Sequence, residues 1–368
     1  VDAFRGGSEN RSLWDNEQQN QDFSNPMFPE DSAAASAPSA ADASGTAQAV
    51  TLKKEPKIIF GLMSAVAQIG TVEQLVAALQ PHLVVVHHDF SQQMHFRIKA
   101  ENARMVPNPK QTGYGVFAFT EGVIQLLAYC LEHIDFDYFQ LLSPACLPIK
   151  PLRQFSAHIA ASHDDAHAEF VDLATDRDAM MSYAPRAYSP YRSWRRKLLR
   201  QAGYWYFGKH AMAEPVAGVQ ILRRSKRIAT DPLGLAAYSI TKLASLGAFG
   251  SYLAAPGLYP KVGAAWFGAR RSVCEYLVQR FLEPAVYEHY REFNDIAEIS
   301  FQTLLGNAPL RIGPLNTYVN AYAGWHPHVF KSEDLPQLAA LPQCFARKFP
   351  DDPDAEVRRR VLEWVTQG

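Results

Sequence analysis

A chain of 368 residues, 48% hydrophobic and 20% charged, carries enough apolar material for one large globular domain or two small ones. Its net charge of -1 shows no overall basic excess, so no nucleic-acid partner is expected. The widely separated Cys130, Cys146, Cys274 and Cys344 form no C-x-x-C pair, which argues against a zinc knuckle or a disulfide framework and for reduced thiols.

Residues 1–52 hold few large apolar groups and run through Ser-Ala-Ala-Ala-Ser-Ala-Pro-type sequence, the composition of a disordered tail. Within them Asn25-Pro26-Met27-Phe28 resembles an NPxF-type adaptor signal, a motif too short to carry weight. There is no run of about 18 uncharged apolar residues and no basic-then-apolar leader pattern. A cytoplasmic protein, at most peripheral at the inner face of a membrane, is the expectation.

The folded part is expected over 53–350, closed by a charged helix over 351–368. Ile58 to Met63 reads as a buried strand, Thr71 to Leu79 as a helix with Thr71 as its N-cap, and His82 to Asp89 as a second buried strand. That alternation predicts an α/β fold with a parallel sheet flanked by helices. Ligands of such sheets sit beyond the carboxyl ends of the strands, so His87 and Asp89 become candidates for donor binding. Phe117 to Leu131 reads as a helix, Asp135 to Ser143 as a third strand, and Ala168 to Asp172 as a fourth.

The insertion at about 175–260 is irregular. Basic residues from Arg186 to Arg200 and from Arg223 to Arg227 alternate with Tyr188, Tyr191, Trp194, Tyr204 and Trp205. Such interleaving over 186–227 suits peripheral contact with anionic lipid, a nucleic-acid strand or a carbohydrate surface, and also a solvated helix with core-facing rings. Residues 234–258, broken by Lys242, Gly247, Gly250 and Pro256, read as a flexible lid. Gly263 to Ala269 reads as a short strand, Arg271 to Glu283 as a helix, and Val319 to Lys331 as a loop. In Asn294 to Leu305, Phe301, Leu304 and Leu305 form the apolar face of a helix with Glu298 near its start.

Four stretches, in order, resemble the core-2/I-branching N-acetylglucosaminyltransferase family, which includes the peptide O-xylosyltransferases. They are Phe136-Asp137-Tyr138-Phe139-Gln140-Leu141-Leu142-Ser143 through Leu147-Pro148-Ile149-Lys150; Gly263-Ala264-Ala265-Trp266-Phe267 with Glu275-Tyr276; Ala297-Glu298 through Gln302-Thr303-Leu304-Leu305; and Phe345-Ala346-Arg347-Lys348-Phe349. Pro144 or Ala145 and Cys146 stand where the family has Gly and Asp.

The resemblance implies a glycosyltransferase-A-like, Rossmann-type fold and inverting transfer from UDP-GlcNAc or UDP-xylose to a glycan, lipid-linked or protein acceptor. It implies Glu298 as the base that takes the acceptor proton, and Lys348, helped by Arg347, as the diphosphate cation in place of a metal. Lys331 or His328 is expected to replace the family's partner arginine, Glu169 to bind the acceptor, and Trp266 to lie under a sugar ring. No cofactor and no metal are expected. The strongest metal alternative in the sequence is Asp176-Arg177-Asp178, and Asp135-Phe136-Asp137 is discounted because it precedes its strand. A catalytically silent sugar- or membrane-surface-binding module is the competing expectation.

Overall fold

The runs at 58–64, 83–88 and 138–142 lack the polar alternation of a half-exposed strand, so each must be covered on both faces. The computed structural model shows that they are. It describes residues 55–113, 117–187, 194–208, 211–224, 232–245, 253–291, 293, 296–323 and 326–367, with backbone alone for 185–187, 195–196 and 244–245. The expected tail over 1–52, its adaptor-like signal, and residues Tyr188, Tyr191 and Ser225 to Arg227 of the basic–aromatic insertion lie outside the described residues.

Strands β1 (Ile58–Ser64), β2 (Leu83–His88), β3 (Ala103–Met105) and β4 (Tyr138–Leu142) run parallel. After them come β5 (Cys146–Pro148), β6 (Ala166–His167), β7 (Val171–Asp172), β8 (Met212–Val216), β9 (Val219–Arg223), β10 (Lys261–Val262), β11 (Gly268–Arg270) and β12 (Ile312–Gly313). The last four are β13 (Thr317–Tyr318), β14 (Tyr322–Ala323), β15 (His326–Pro327) and β16 (Phe345–Arg347). The central sheet has seven strands in the order β12-β6-β11-β4-β1-β2-β3, with β11 antiparallel to both neighbours. Side-chain alternation divides the core. Ile59, Met63, Val85, Phe139 and Leu141 pack under helices Phe117–His133, Arg271–Phe281 and Ser300–Asn307. Ile58, Phe60, Leu62, Val84, Val86 and Leu142 pack under helices Ile69–Ala78, Leu152–Ala161 and Glu356–Gln367. The result is a mixed α/β fold with a mostly parallel sheet flanked by helices.

The structure corrects several element assignments. Thr71 is buried inside the first helix, whose N-cap is Gln68; the Gln68 N–H is held by the Asp351 carboxylate at 3.0 Å, a partner remote in sequence. Of the expected strand over 168–172 only β7 forms, pairing with β10 outside the central sheet; the strand that joins the central sheet here, β6, precedes it at 166–167. The expected strand over 263–269 is irregular until β11, because Gly263 and Ala264 spend their N–H groups on Glu298 and Ala217 rather than on a ladder. Short strands β14 and β15 pair within the segment read as loop. The expected lid over 234–258 begins as a helix, Pro232–Ser245, with Ala237 buried against Tyr206 and Phe207. The charged C-terminal helix is anchored by Arg358, fully buried, which donates to Gln74 Oε1 and to the carbonyls of Pro350 and Thr71. Burial brings its pKa down to about 10.

Candidate functional site

The carboxyl end of β4 is where the chain gathers polar groups. Leu142 gives way to Ser143-Pro144-Ala145, which turns into β5. Against β5 lies β16, antiparallel, with Arg347 opposite Cys146. The Phe349 N–H donates to the Ala145 carbonyl at 2.8 Å, so Arg347 and Lys348 are pinned at that turn. On the other side of β4, the Leu141 N–H donates to the Phe267 carbonyl at 2.9 Å, which sets Trp266 beside the same strand end. The two sides meet: the Arg347 guanidinium carbon lies 5.2 Å over the Trp266 ring centre, a cation–π contact. Among the described residues neither Arg347 nor Lys348 has a carboxylate partner, and Arg347 Nε lacks a hydrogen-bond acceptor. Two adjacent half-buried cations without a counter-ion repel each other and favour an anionic visitor.

Three residues before Trp266, Gly263 touches the backbones of the two candidate glutamates, Glu298 and Glu169. Its N–H donates to the Glu298 carbonyl at 3.0 Å, and a Cβ on it would fall 2.0 Å from the Glu169 carbonyl oxygen. Only a residue without a side chain lets both backbones close around it. Glu298 ends a single 3-10 turn, Ile296–Glu298, ahead of the helix Ser300–Asn307. Phe301, Leu304 and Leu305 of that helix are fully buried, which fixes where the turn stands. The Tyr183 hydroxyl donates to Glu298 Oε2 at 2.9 Å, and the Gln302 side-chain amide donates to the Ala264 carbonyl. Glu169 Oε1 accepts the Leu315 N–H at 3.4 Å.

The insertion reaches the same corner through its hairpin. β8 and β9 are joined by Ala217-Gly218, with φ of 50° and 73°, the left-handed pair of a tight two-residue turn. The Ala217 carbonyl accepts the Ala264 N–H at 2.8 Å; the Gly218 N–H donates to Asn320 Oδ1 at 2.7 Å, and its carbonyl accepts the Tyr322 hydroxyl at 2.9 Å.

Other sequence candidates are turned to local tasks. His87 and His88 close β2 pointing to opposite faces and are both buried. His87 Nε2 contacts Gln125 Oε1 at 3.0 Å; His88 contacts Ser64 Oγ at 3.2 Å and the Gln93 carbonyl at 2.9 Å, and stacks on Phe96. Burial lowers the pKa of both rings, which favours the neutral form. The Asp89 carboxylate is taken up by its own loop. It accepts from the Ser91 N–H and hydroxyl at 3.0 and 2.6 Å, from the Thr112 N–H at 2.8 Å and from the Gly113 N–H at 3.2 Å. Burial alone would push its pKa up, but these donors together hold it at about 2.

Lys331 comes near Lys348 through the backbone, since the Phe330 N–H donates to the Lys348 carbonyl at 2.9 Å. Its side chain is exposed and lies 3.5 Å from Glu333, while His328 contacts Asp334 at 2.8 Å. Asp176 is engaged by Arg223 at 2.7 and 2.8 Å, and Asp178 accepts the Tyr206 hydroxyl at 2.8 Å. Asp137 lies at the amino end of β4, holding the Lys57 N–H at 2.8 Å. Among the described residues no cluster of three or more His, Cys, Asp or Glu side chains is arranged to hold a metal ion.

The structure therefore sets Arg347 against Trp266 and closes the backbones of Glu169 and Glu298 around Gly263, three residues before Trp266, while His87, Asp89 and the Lys331 side chain are engaged by local partners. Tyr183, Asn320 and the hairpin tip were not singled out from the sequence. No family model matches the chain, and no curated protein matches it.

Proposed function

We propose that the chain is an inverting, metal-independent glycosyltransferase of the glycosyltransferase-A-like, Rossmann-type fold, moving GlcNAc or xylose from a UDP-sugar to a hydroxyl of a glycan, lipid-linked or protein acceptor. The observation that supports this reading is the pair Arg347-Lys348, without a carboxylate partner among the described residues, beside the carboxyl end of a parallel strand, with Arg347 in contact with Trp266. The resemblance of Phe345 to Phe349 and of Ala297 to Leu305 to the branching-enzyme motifs assigns roles to that corner.

In the reaction, Glu298 takes the acceptor hydroxyl proton as that oxygen bonds to the anomeric carbon from the face opposite the leaving group. The bond from the anomeric carbon to the diphosphate oxygen breaks at the same time, and UDP departs with the electron pair. Arg347 and Lys348 receive the growing diphosphate charge, each through charge-assisted bonds of about 1.5–3 kcal/mol. A positioned base contributes about 10²- to 10⁴-fold. Trp266 has one face engaged by Arg347, which sets a sugar ring beside the cation that holds its leaving group. Glu169 is the acceptor-side carboxylate; its backbone and that of Glu298 both close on Gly263.

The test is turnover of UDP-GlcNAc and UDP-xylose in EDTA, followed by UDP release and product mass. The wild-type chain is expected to turn over one of them, and Glu298→Gln to lose about 10²-fold or more in rate while still binding UDP. Unchanged turnover in Glu298→Gln would remove Glu298 from the mechanism. One observation favours a silent sugar-binding module: Cys146, standing where the resemblance has an Asp, is fully buried and 3.4 Å from the Ser143 nitrogen. UDP binding without turnover of any UDP-sugar would decide for that module.

A further inference from the structure

The helix Trp194–Phe207 buries Leu199, Ala202, Tyr206 and Phe207 and turns Trp194, Lys197, Tyr204 and Trp205 outward, the two stripes alternating at helical spacing. The helix Pro232–Ser245 packs beside it, burying Ala237 and Thr241. Its outward stripe is Leu233, Leu235 and Leu243, with the Lys242 side chain at the edge. Trp194 is 61% exposed, Trp205 38%, Leu233 50%, Leu235 46% and Leu243 55%. Single exposed leucines are ordinary, but large apolar side chains grouped on two touching helices mark an interaction surface. Both helices rest on a third, Arg177–Ala187, through Met181, so the outward stripes face away from the body of the protein.

Charge identifies the occupant. No Asp or Glu occurs between Asp178 and Glu214, although the whole chain has a net charge of -1, and Lys197 and Arg200 are exposed beside Trp194 and Trp205. A second copy seated here would set these cations against their own counterparts, with no Asp or Glu within either helix to offset them. A nucleic-acid strand would stack on the tryptophans but gain nothing from the leucine stripe. An anionic bilayer answers both: leucine and tryptophan enter the acyl boundary while lysine and arginine stay among phosphate headgroups.

We propose that this two-helix face docks the chain on anionic phospholipid bilayers, lying in the interface plane. Each helix has 14 residues, and among the described residues no helix is long and apolar enough to cross a membrane. Tyr183, on the helix beneath, donates to Glu298, so a docked chain holds the candidate site one helix away from the headgroups. Docking does not depend on the glycosyl-transfer reading and is measured without it.

The experiment is co-sedimentation of the full chain with vesicles of phosphatidylcholine alone and of equal parts phosphatidylcholine and phosphatidylglycerol. The wild-type chain is expected to pellet with the anionic vesicles and to be only partly released by salt. Joint substitution Trp205→Ser, Leu235→Ser, Leu243→Ser is expected to weaken partitioning about tenfold or more, with the thermal midpoint retained because these side chains are exposed. Lys197→Glu with Arg200→Glu is expected to remove the preference for anionic lipid. A wild-type chain that stays in the supernatant, or a triple variant that pellets equally, would overturn the proposal. So would a wild-type dimer in gel filtration that the triple variant turns into monomer, since a second copy would then cover the face.

Discussion

The hydroxyl of Tyr183 donates to Oε2 of Glu298 at 2.9 Å, across 115 residues of sequence. Tyr183 is buried, so its ring is fixed by packing and its hydroxyl holds one oxygen of the carboxylate in place. Tyr183→Phe keeps the ring and removes the bond. On the proposed mechanism kcat falls about tenfold or more while KM for the donor is retained, as expected when a base loses its orientation. Equal loss of kcat and of thermal stability with no split from KM would reduce Tyr183 to a packing role.

Asp89 tests the division between site and scaffold. Its folded pKa of about 2 lies below the ordinary value of 3.8, so its ionised form stabilises the fold above pH 4 and that contribution disappears as pH falls through about 2. Asp89→Asn is expected to cost about 2 kcal/mol at pH 7 in denaturant unfolding, with a smaller penalty on acidification, and to leave UDP affinity unchanged. A loss of UDP affinity without a loss of stability would return Asp89 to the donor site.

Gly263 tests whether the two carboxylates depend on each other. Its missing Cβ is replaced in space by the Glu169 carbonyl, and its N–H holds the Glu298 carbonyl. Gly263→Ala is expected to cost about 1–3 kcal/mol and to lower kcat, because Glu169 and Glu298 must separate. Wild-type stability and turnover in this variant would show that the corner tolerates looser packing than its geometry implies.

Much of the central sheet was legible as sequence. Ile58 to Met63, His82 to Asp89 and Asp135 to Ser143 are apolar runs bounded by polar groups, and the buried face of Phe301, Leu304 and Leu305 follows from spacing alone. What failed depended on distant partners. Thr71 has the composition of an N-cap, but Asp351 holds that end of the helix. The helix Pro232–Ser245 carries its leucines outward and Gly234 inward, so its pattern does not separate a core face from a solvent face. A Cβ at Gly234 would fall 2.3 Å from the Arg224 guanidinium, a contact no local pattern reveals. Asp89 was read as the last residue of a strand that ends at His88, and its donors come from residues 91, 112 and 113 and cannot be read from the strand. Tyr183 gave no signal, because its role exists only when residue 298 is brought beside it.

The most direct measurement is titration calorimetry of UDP in EDTA against the wild-type chain, Arg347→Ala and Lys348→Ala. The account predicts sub-millimolar binding by the wild-type chain, with each substitution weakening it about tenfold and the two together abolishing it. No heat at millimolar UDP, or equal binding by the doubly substituted chain, would contradict a diphosphate site at the corner formed by Trp266, Arg347 and Lys348.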